Sequence, residues 1–290
     1  MTLDERLWKT FNKALGLYQL IDEDDRILVG LSGGKDSLCL LEFLARRSRI
    51  LKPRFTVEAV HVRMEDIHYE TDATYLQSFC SRLNVPLHLN TTHFPSPRTA
   101  ATPLSPLPLA TTPDGSPSGF SSVSSPVSSL GSPSGSSLGS PSGSSLGSPS
   151  GTKPKPPCFL CSWQRRKQLF NLAQQLGCTK IALGHHQDDI IHTALMNLTF
   201  QGHFSTMPAK LRMKKMPLTI IRPLCLCHED DIRQYAEQQQ YQKLIKLCPY
   251  ETDTHRTSIQ QIFQQMRQLN PEARYSIWNA LEADGKLTDY

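Results

Sequence analysis

The chain lacks several features that would place it quickly. No apolar run approaches the ~20 residues that a membrane span needs, so no spanning helix is expected. The opening Met1-Thr2-Leu3-Asp4-Glu5-Arg6 carries early acids and no apolar h-region, so a secretory leader is not expected and a cytoplasmic location is. Without an export signal, the 8 cysteines of the 290 residues read as reduced thiols or metal ligands rather than a disulfide framework. A large excess of one charge is also missing. The net charge of +5 permits a polyanionic partner without requiring one. The Walker A pattern Gly-x-x-x-x-Gly-Lys-Ser/Thr does not describe its one Gly-rich loop, so phosphate binding of that type is excluded there.

What the chain has instead is Leu31-Ser32-Gly33-Gly34-Lys35-Asp36-Ser37, directly after the apolar run Ile27-Leu28-Val29-Gly30. Leu38 to Leu44 follow with helical spacing. A buried strand, a Gly-rich turn and a helix start make a phosphate cradle. The glycines let the backbone approach an anion, and the helix N-terminus aims N–H groups and partial positive charge at it. Lys35 adds a cation, and Ser32 and Ser37 add hydroxyls. An ordinary strand–helix turn is the bland alternative. The loop resembles the PP-loop, Ser-Gly-Gly-x-Asp-Ser, of the ATP pyrophosphatases. That resemblance implies cleavage of ATP between the α- and β-phosphates, adenylation of a substrate oxygen and release of pyrophosphate.

Composition breaks sharply over residues 94–157. Pro95 to Pro117 is rich in Pro, Thr and Ser, and the unit Leu-Gly-Ser-Pro-Ser-Gly-Ser-Ser starts at Leu130, again at Leu138, and partially at Leu146. So little apolar surface cannot offset the ordering entropy, and disorder is expected. The repeat is too short and too polar for a solenoid. The flanks, 1–93 and 158–290, carry motifs of one domain, which places 94–157 as an insertion in a surface loop.

Patterning predicts a helix over 7–18, a strand over 26–30, a helix over 37–47 and a strand over 55–62. A helix over 71–83 and a strand over 87–92 follow, and after the insertion a helix over 163–176 with Gly177 at its C′ position. A strand over 180–184, a helix over 189–198, a strand over 218–222 and a helix over 230–240 complete the core. This alternation predicts an α/β fold, a doubly wound and mostly parallel sheet. Its ligands belong at the carboxyl ends of the strands, where both the PP-loop and His185 fall.

Two further clusters carry chemistry. Gly184-His185-His186-Gln187-Asp188-Asp189 brings paired acids beside the phosphate site, where they can hold Mg²⁺. Asp189 is equally suited to cap the next helix, and the histidines to contact phosphate or an adenylated intermediate, or simply to pack. Cys158-Phe159-Leu160-Cys161 stands immediately before the helix over 163–176 and can offer two thiolates to one metal, as a redox dithiol, half a zinc site or part of an iron–sulfur cluster. Cys248 is the best third ligand, with Cys225 and Cys227 competing. Cys39, Cys80 and Cys178 sit on or beside apolar helix faces and read as small buried residues.

Taken in order, these residues resemble the tRNA 2-thiocytidine synthetases of the TtcA type. The resemblance runs from about residue 7 to about 281 and rests on five blocks. They are Arg26 to Ser37, Cys158-x-x-Cys161 with Arg165-Arg166, Lys180 to Asp189, Met207 to Leu211, and Ile221 to Leu224. It implies the fold of the PP-loop ATP pyrophosphatases (adenine nucleotide α-hydrolase-like). It also implies use of ATP, Mg²⁺ and a [4Fe–4S] cluster to replace the 2-oxygen of cytidine 32 in the anticodon loop of tRNA with sulfur. On the same ground Cys158, Cys161 and Cys248 hold the cluster, Cys248 because it stands before Arg256 at the family's spacing. Lys35, Asp36, Asp188 and Asp189 fall to catalysis, and Ser32, Gly33, Gly34, Lys35, Asp36, Ser37 and His61 to the nucleotide. A homodimer and a cysteine-desulfurase sulfur donor are implied as well.

The target base must leave its stack to be reached. Lys210 to Lys215, with Arg165-Arg166-Lys167, are candidate phosphate contacts, or else solvated loop charges. Two departures stand out: His192-Thr193 where the family has Glu-Thr, and Lys246-Leu247 where it has an additional cysteine. The alternatives are a uridine 2-thiolase or lysidine-type ligase built on the same loop, and a zinc-stabilised noncatalytic RNA-binding module.

Overall fold

The fold is known from a computed structural model that describes residues 1–69, 73–93, 157–243, 245–247 and 255–288. The Ser/Pro/Gly stretch therefore lies outside the described residues, as do the expected first helical residues 71 and 72.

Ile27, Leu28 and Val29 are apolar on both faces of strand β1 (Asp25–Gly30), and all are buried. A strand of that kind belongs in the middle of a parallel sheet covered on both sides. It pairs in parallel with β2 (Phe55–Met64) on one side and with β5 (Lys180–Ala182) on the other. Val29 is opposite both Ala59 and Ala182. β4 (Leu87–Thr92) continues the sheet beyond β2, and β7 (Thr219–Ile221) beyond β5, both parallel. β6 (Lys210–Arg212) closes the far edge antiparallel to β7, giving the order β4-β2-β1-β5-β7-β6. A short antiparallel pair, β3 (His68–Tyr69) with β8 (Lys246–Leu247), stands apart from this sheet.

Helices cover both faces. Ile27, Val29 and Leu31 pack on one side with Phe43 of α2 (Lys35–Arg47) and Phe11 of α1 (Leu3–Leu17). Leu28 and Val60 point to the other side, against Leu172 and Ala173 of α4 (Pro157–Gln175). This division follows the two-residue alternation of a strand. α3 (Thr74–Leu83) connects β2 to β4, α5 (Gln187–Gln201) leaves β5, and α6 (Glu229–Gln238) follows β7. α7 (His255–Leu269) and α8 (Ala273–Ala283) pack against α5. The β1–β5 pairing joins the two sides of the Ser/Pro/Gly stretch directly, and the described residues on both sides belong to one compact unit.

The doubly wound, mostly parallel expectation holds. Several boundaries move, each for a local reason. α1 begins at Leu3 because Thr2 and Glu5 form a capping box, with Glu5 N donating to Thr2 Oγ1 at 3.2 Å and Thr2 N to Glu5 Oε2 at 2.8 Å. α4 begins at Pro157, so Cys158 and Cys161 lie inside the helix rather than before it; a proline is well suited to a first helical turn. Gly177 takes a positive φ of 64° just past that helix, as its C′ reading required. Residues 210–212 form an edge strand, and the turn after them leads into the start of β7. Lys214 and Lys215 are thereby carried to the amino edge of the sheet, opposite the PP-loop.

Because β2 lies on one side of β1 and β5 on the other, the chain order reverses between β1 and β5. Ligands of doubly wound sheets bind in the crevice outside the carboxyl ends of the strands at such a point. The PP-loop leaves β1 there, and Gly184 to Asp189 leave β5 there.

Candidate active site

The loop after β1 is held open by its own hydroxyls. Buried Ser37 donates to Gly34 O at 2.9 Å and accepts from Ser32 N at 3.2 Å, and its Oγ lies 3.0 Å from Ser32 Oγ. Gly33 has a φ of 82°, a region where a side chain would be strained. Gly34 caps α2 with an extended backbone and no side-chain bond, which leaves the first-turn N–H groups to a ligand. Ser32 and Ser37 therefore shape the cradle first.

Lys35 Nζ donates to Asp36 Oδ2 at 3.2 Å and to Glu229 Oε1 at 3.1 Å, the latter from the first turn of α6. Burial works against the ammonium, but these two carboxylates outweigh it and hold the Lys35 pKa above its ordinary value. Asp36 Oδ1 is buried and accepts no hydrogen bond, although Lys35 Nζ stands 3.1 Å away. Its distance satisfies an ion pair while its direction does not satisfy a hydrogen bond, so this oxygen keeps its acceptor capacity.

Gly184 brings the second motif against the first. A Cβ there would stand 3.0 Å from the carbonyl carbon of Asp36 and 3.1 Å from Ser37 N, both backbone atoms of the first turn of α2. No other residue permits this approach. His186 then caps α5: Asp189 N donates to His186 Nδ1 at 3.4 Å, and His186 N donates to Asp189 Oδ2 at 3.3 Å. Asp189 is thus the third helical residue of a capping box and not the cap itself, which corrects the cap alternative raised from sequence. Its other oxygen pairs with Arg256 of α7. His186 Nε2 lies 3.8 Å from Asp36 Oδ1, so the two motifs meet.

Asp188 is bound on both oxygens. Arg274 of α8 donates Nη2 to Oδ1 at 2.6 Å, and Glu229 N donates to Oδ2 at 2.9 Å. Burial alone would raise the carboxyl pKa, but the Arg274 bond overrides it and holds Asp188 down at about 2. Arg274 also donates to Gln187 Oε1 at 3.3 Å. Arg222 Nε donates to His185 Nδ1 at 3.3 Å, which leaves the proton of a neutral ring on Nε2. Burial, reinforced by the Arg222 charge, depresses His185 to about 4. Glu229 and Arg274 carry no local sequence signal, because their partners Lys35 and Asp188 lie far away in the chain and meet them only through packing.

His61, on β2, is buried with Nδ1 2.7 Å from Leu31 O and Nε2 without a partner. Burial lowers its pKa, so the ring is a neutral brace under the loop. His192, where the resembled family has Glu, is buried in α5 with both ring nitrogens unpartnered and its ring 5.3 Å from that of Phe263.

The cysteines divide cleanly. Cys39, Cys80, Cys178, Cys225 and Cys227 are buried, and burial pushes all five thiols up, Cys80 to about 11. Cys225 and Cys227 belong to the main core, which removes both as competitors for a ligand role. Cys158 is exposed and Cys161 half-buried, three residues apart in the first turns of α4, where such positions are neighbours on one face. Gln168 of α4 reaches Thr92 at the carboxyl end of β4 (Nε2 to Oγ1, 3.5 Å), so the helix start bearing both cysteines extends past that edge. Cys248 lies outside the described residues. Its neighbour Leu247 pairs with His68, four residues past the carboxyl end of β2. Among the described residues no three His, Cys, Asp or Glu side chains converge on one metal-sized point, and no helix is long and apolar enough to cross a membrane.

A Gly-Gly-Lys-Asp-Ser cradle at the switch point of a doubly wound sheet, backed by an Asp-Asp helix start, defines a PP-loop ATP pyrophosphatase. The family model of the PP-loop domain matches residues 3–99. The tRNA-cytidine(32) 2-sulfurtransferase of Pseudomonas syringae pv. tomato is 30% identical over 99% of this chain and 89% of its own length. Its counterpart in Bordetella avium is 30% identical over 96% of this chain and 73% of its own. The chain belongs to this tRNA-cytidine(32) 2-sulfurtransferase family. Among solved structures, the U34-tRNA thiolase NcsA of Methanococcus maripaludis, with its [4Fe-4S] cluster, shares the fold. It superposes with a TM-score of 0.64 at 20% identity, covering 99% of this chain and 80% of that one.

Proposed function

We propose that this protein is an ATP-dependent, iron–sulfur tRNA sulfurtransferase that replaces the 2-oxygen of cytidine 32 with sulfur. The observation that carries the reading is the placement of two chemistries on one edge of the sheet. The PP-loop leaves β1 there, and the Cys158–Cys161 face of α4 extends beyond it.

A C2 oxygen is a poor leaving group until it is esterified. The oxygen attacks the α-phosphorus of ATP, the bond to the β-phosphate breaks and pyrophosphate departs. A sulfur nucleophile then adds at C2, and AMP leaves with the original oxygen. Lys35 and the uncapped N–H groups of α2 hold the charge that builds on the departing pyrophosphate. To do so, Lys35 exchanges its contacts with Asp36 and Glu229 for phosphate oxygens. The buried, unsatisfied Asp36 Oδ1 suits Mg²⁺, which takes one or two carboxylates and completes its shell with phosphates and water. Asp189 lies on the same side through His186, while Asp188 positions the helix start that carries both. Neutral His61 braces the loop from below.

The accessible thiols fit a soft metal centre, and Cys158, Cys161 and Cys248 are the residues that would hold a [4Fe–4S] cluster. When bound, that cluster supplies the iron site from which sulfur is delivered. Sulfur reaches it from a cysteine-desulfurase donor, the enzyme works as a homodimer in the cytoplasm, and residues 94–157 are an insertion between the parts 1–93 and 158–290 of one PP-loop domain.

Two measurements test the reading. Nucleoside analysis of tRNA from a deletion strain should show loss of 2-thiocytidine, restored by the wild-type gene; persistence of 2-thiocytidine overturns the assignment. Anaerobically purified protein should carry iron and sulfide that C158A, C161A and C248A each lose, whereas stoichiometric zinc would sink the cluster.

A further inference from the structure

The start of α4 presents two large aromatic side chains to solvent next to the cysteine pair. Phe159 is 50% exposed and Trp163 is 47% exposed. They stand four residues apart, so they share one face of the helix, which Arg166 and Lys167 extend by a further turn, both exposed. Lys167 Nζ sits 5.4 Å from the centre of the Trp163 ring, a cation–π pair. Single exposed apolar residues need no explanation. Two aromatics in one stripe with two cations, on the same two turns as Cys158 and Cys161, make a patterned surface.

We propose that Phe159 and Trp163 form a stacking platform for an unpaired base of the RNA substrate's loop, with Arg166 and Lys167 taking the adjoining phosphates. This deepens the tRNA reading above and rests on it for the nature of the substrate. A base drawn from a loop exposes two apolar faces, which aromatic rings accept without regard to base identity, while the flanking phosphates demand cations. Both kinds of group occur on this stripe, and it contains no acidic residue: positions 158–167 read Cys-Phe-Leu-Cys-Ser-Trp-Gln-Arg-Arg-Lys. A second copy of the chain would be met by a surface of the same positive sign, so charge favours RNA as the occupant. The platform would hold a loop nucleotide beside the thiols while the target base enters the crevice.

Trp163 offers its own reporter, because Trp278 is buried and Trp8 is half-buried beneath Arg46. Full-length protein is titrated with an RNA hairpin bearing an anticodon-sized loop, and separately with the same stem as a blunt duplex. Tryptophan emission and the binding of labelled RNA are both followed. The hairpin should quench the emission and the duplex should not. W163A should weaken hairpin binding about 5- to 150-fold, the range expected for loss of one stacked base. W163F should restore most of the affinity, and R166A/K167A should flatten the salt dependence of binding.

Unchanged hairpin affinity in W163A overturns the platform. So does a change in molecular mass for W163A with RNA affinity intact, since the stripe would then be a contact between copies. Equal losses for hairpin and duplex overturn it too. Binding is read without ATP turnover, so failure to form 2-thiocytidine would sink the functional reading while leaving this result to stand or fall alone.

Discussion

Asp188 and Arg274 form a buried ion pair, Oδ1 to Nη2 at 2.6 Å, with side-chain exposures of 7% and 5%. It fastens the helix start at the carboxyl end of β5 to α8, and the second oxygen of Asp188 fastens the same point to the backbone of α6. Three helices that are far apart in sequence are thereby set around the ATP crevice.

Breaking this pair by D188N leaves Arg274 buried without its counter-charge, which costs about 3–5 kcal/mol. Urea denaturation should register that loss, and R274M combined with D188N should recover part of it. Acid acts on the same pair. The folded pKa of Asp188 is depressed to about 2, below the ordinary carboxylate value of about 3.9. Its stabilisation is therefore fully present above the unfolded pKa and lost as pH falls through the folded one. Melting temperature should drop between about pH 4 and pH 2, and this component of the drop should vanish in D188N/R274M.

G184A places a Cβ 3.0 Å from the Asp36 backbone. Overpacking of this kind costs about 1–3 kcal/mol, and the first turn of α2 must shift to relieve it. ATP affinity, measured by equilibrium dialysis, should fall together with the melting temperature. G202A, at a positive φ that Gly184 does not share and with no atom near its Cβ, should affect stability and leave ATP affinity alone.

Lys35 has two carboxylate partners that compete with phosphate. K35Q should lower the rate of AMP and pyrophosphate formation about 10²–10³-fold, the usual effect of removing one transition-state charge contact. E229Q acts in the opposite direction on binding: with one competitor gone, the apparent KM for ATP should decrease. Both variants should melt close to wild type, because the Lys35–Glu229 pair is about one-third exposed.

His192 keeps two unsatisfied ring nitrogens against Phe263. Replacing a buried unpaired polar group by an apolar one of similar size is neutral or stabilising. H192L should therefore match or exceed the wild-type melting temperature. A clear loss of stability would show that the ring has a partner in the folded protein.

Much of this site is legible from residues alone because its recognition is local. A Gly-Gly-Lys-Asp-Ser turn after an apolar strand needs only neighbouring residues to make a cradle, and Cys158 and Cys161 declare themselves by spacing. The end of α4 at Gly177 is legible for the same reason. The start of α4 is not, because Cys158 to Ser162 carry no periodic apolar face and only extension of the helix past the sheet edge places them. The Lys210 to Lys215 segment reads as a loop until β7 supplies the edge for β6 to pair with.

Local residue order already places a nucleotide site after β1, alternates strands with helices and supplies a thiol pair. Each of these follows from short-range chemistry: propensity, periodicity and the spacing of functional groups. Packing of distant segments is what clamps Asp188 with Arg274, rests Lys35 on Glu229, requires Gly184 to be bare, and makes Cys225 and Cys227 core residues. Those outcomes depend on burial and on partners between 86 and 194 residues away, or on backbone brought close only by packing, and no local pattern encodes them.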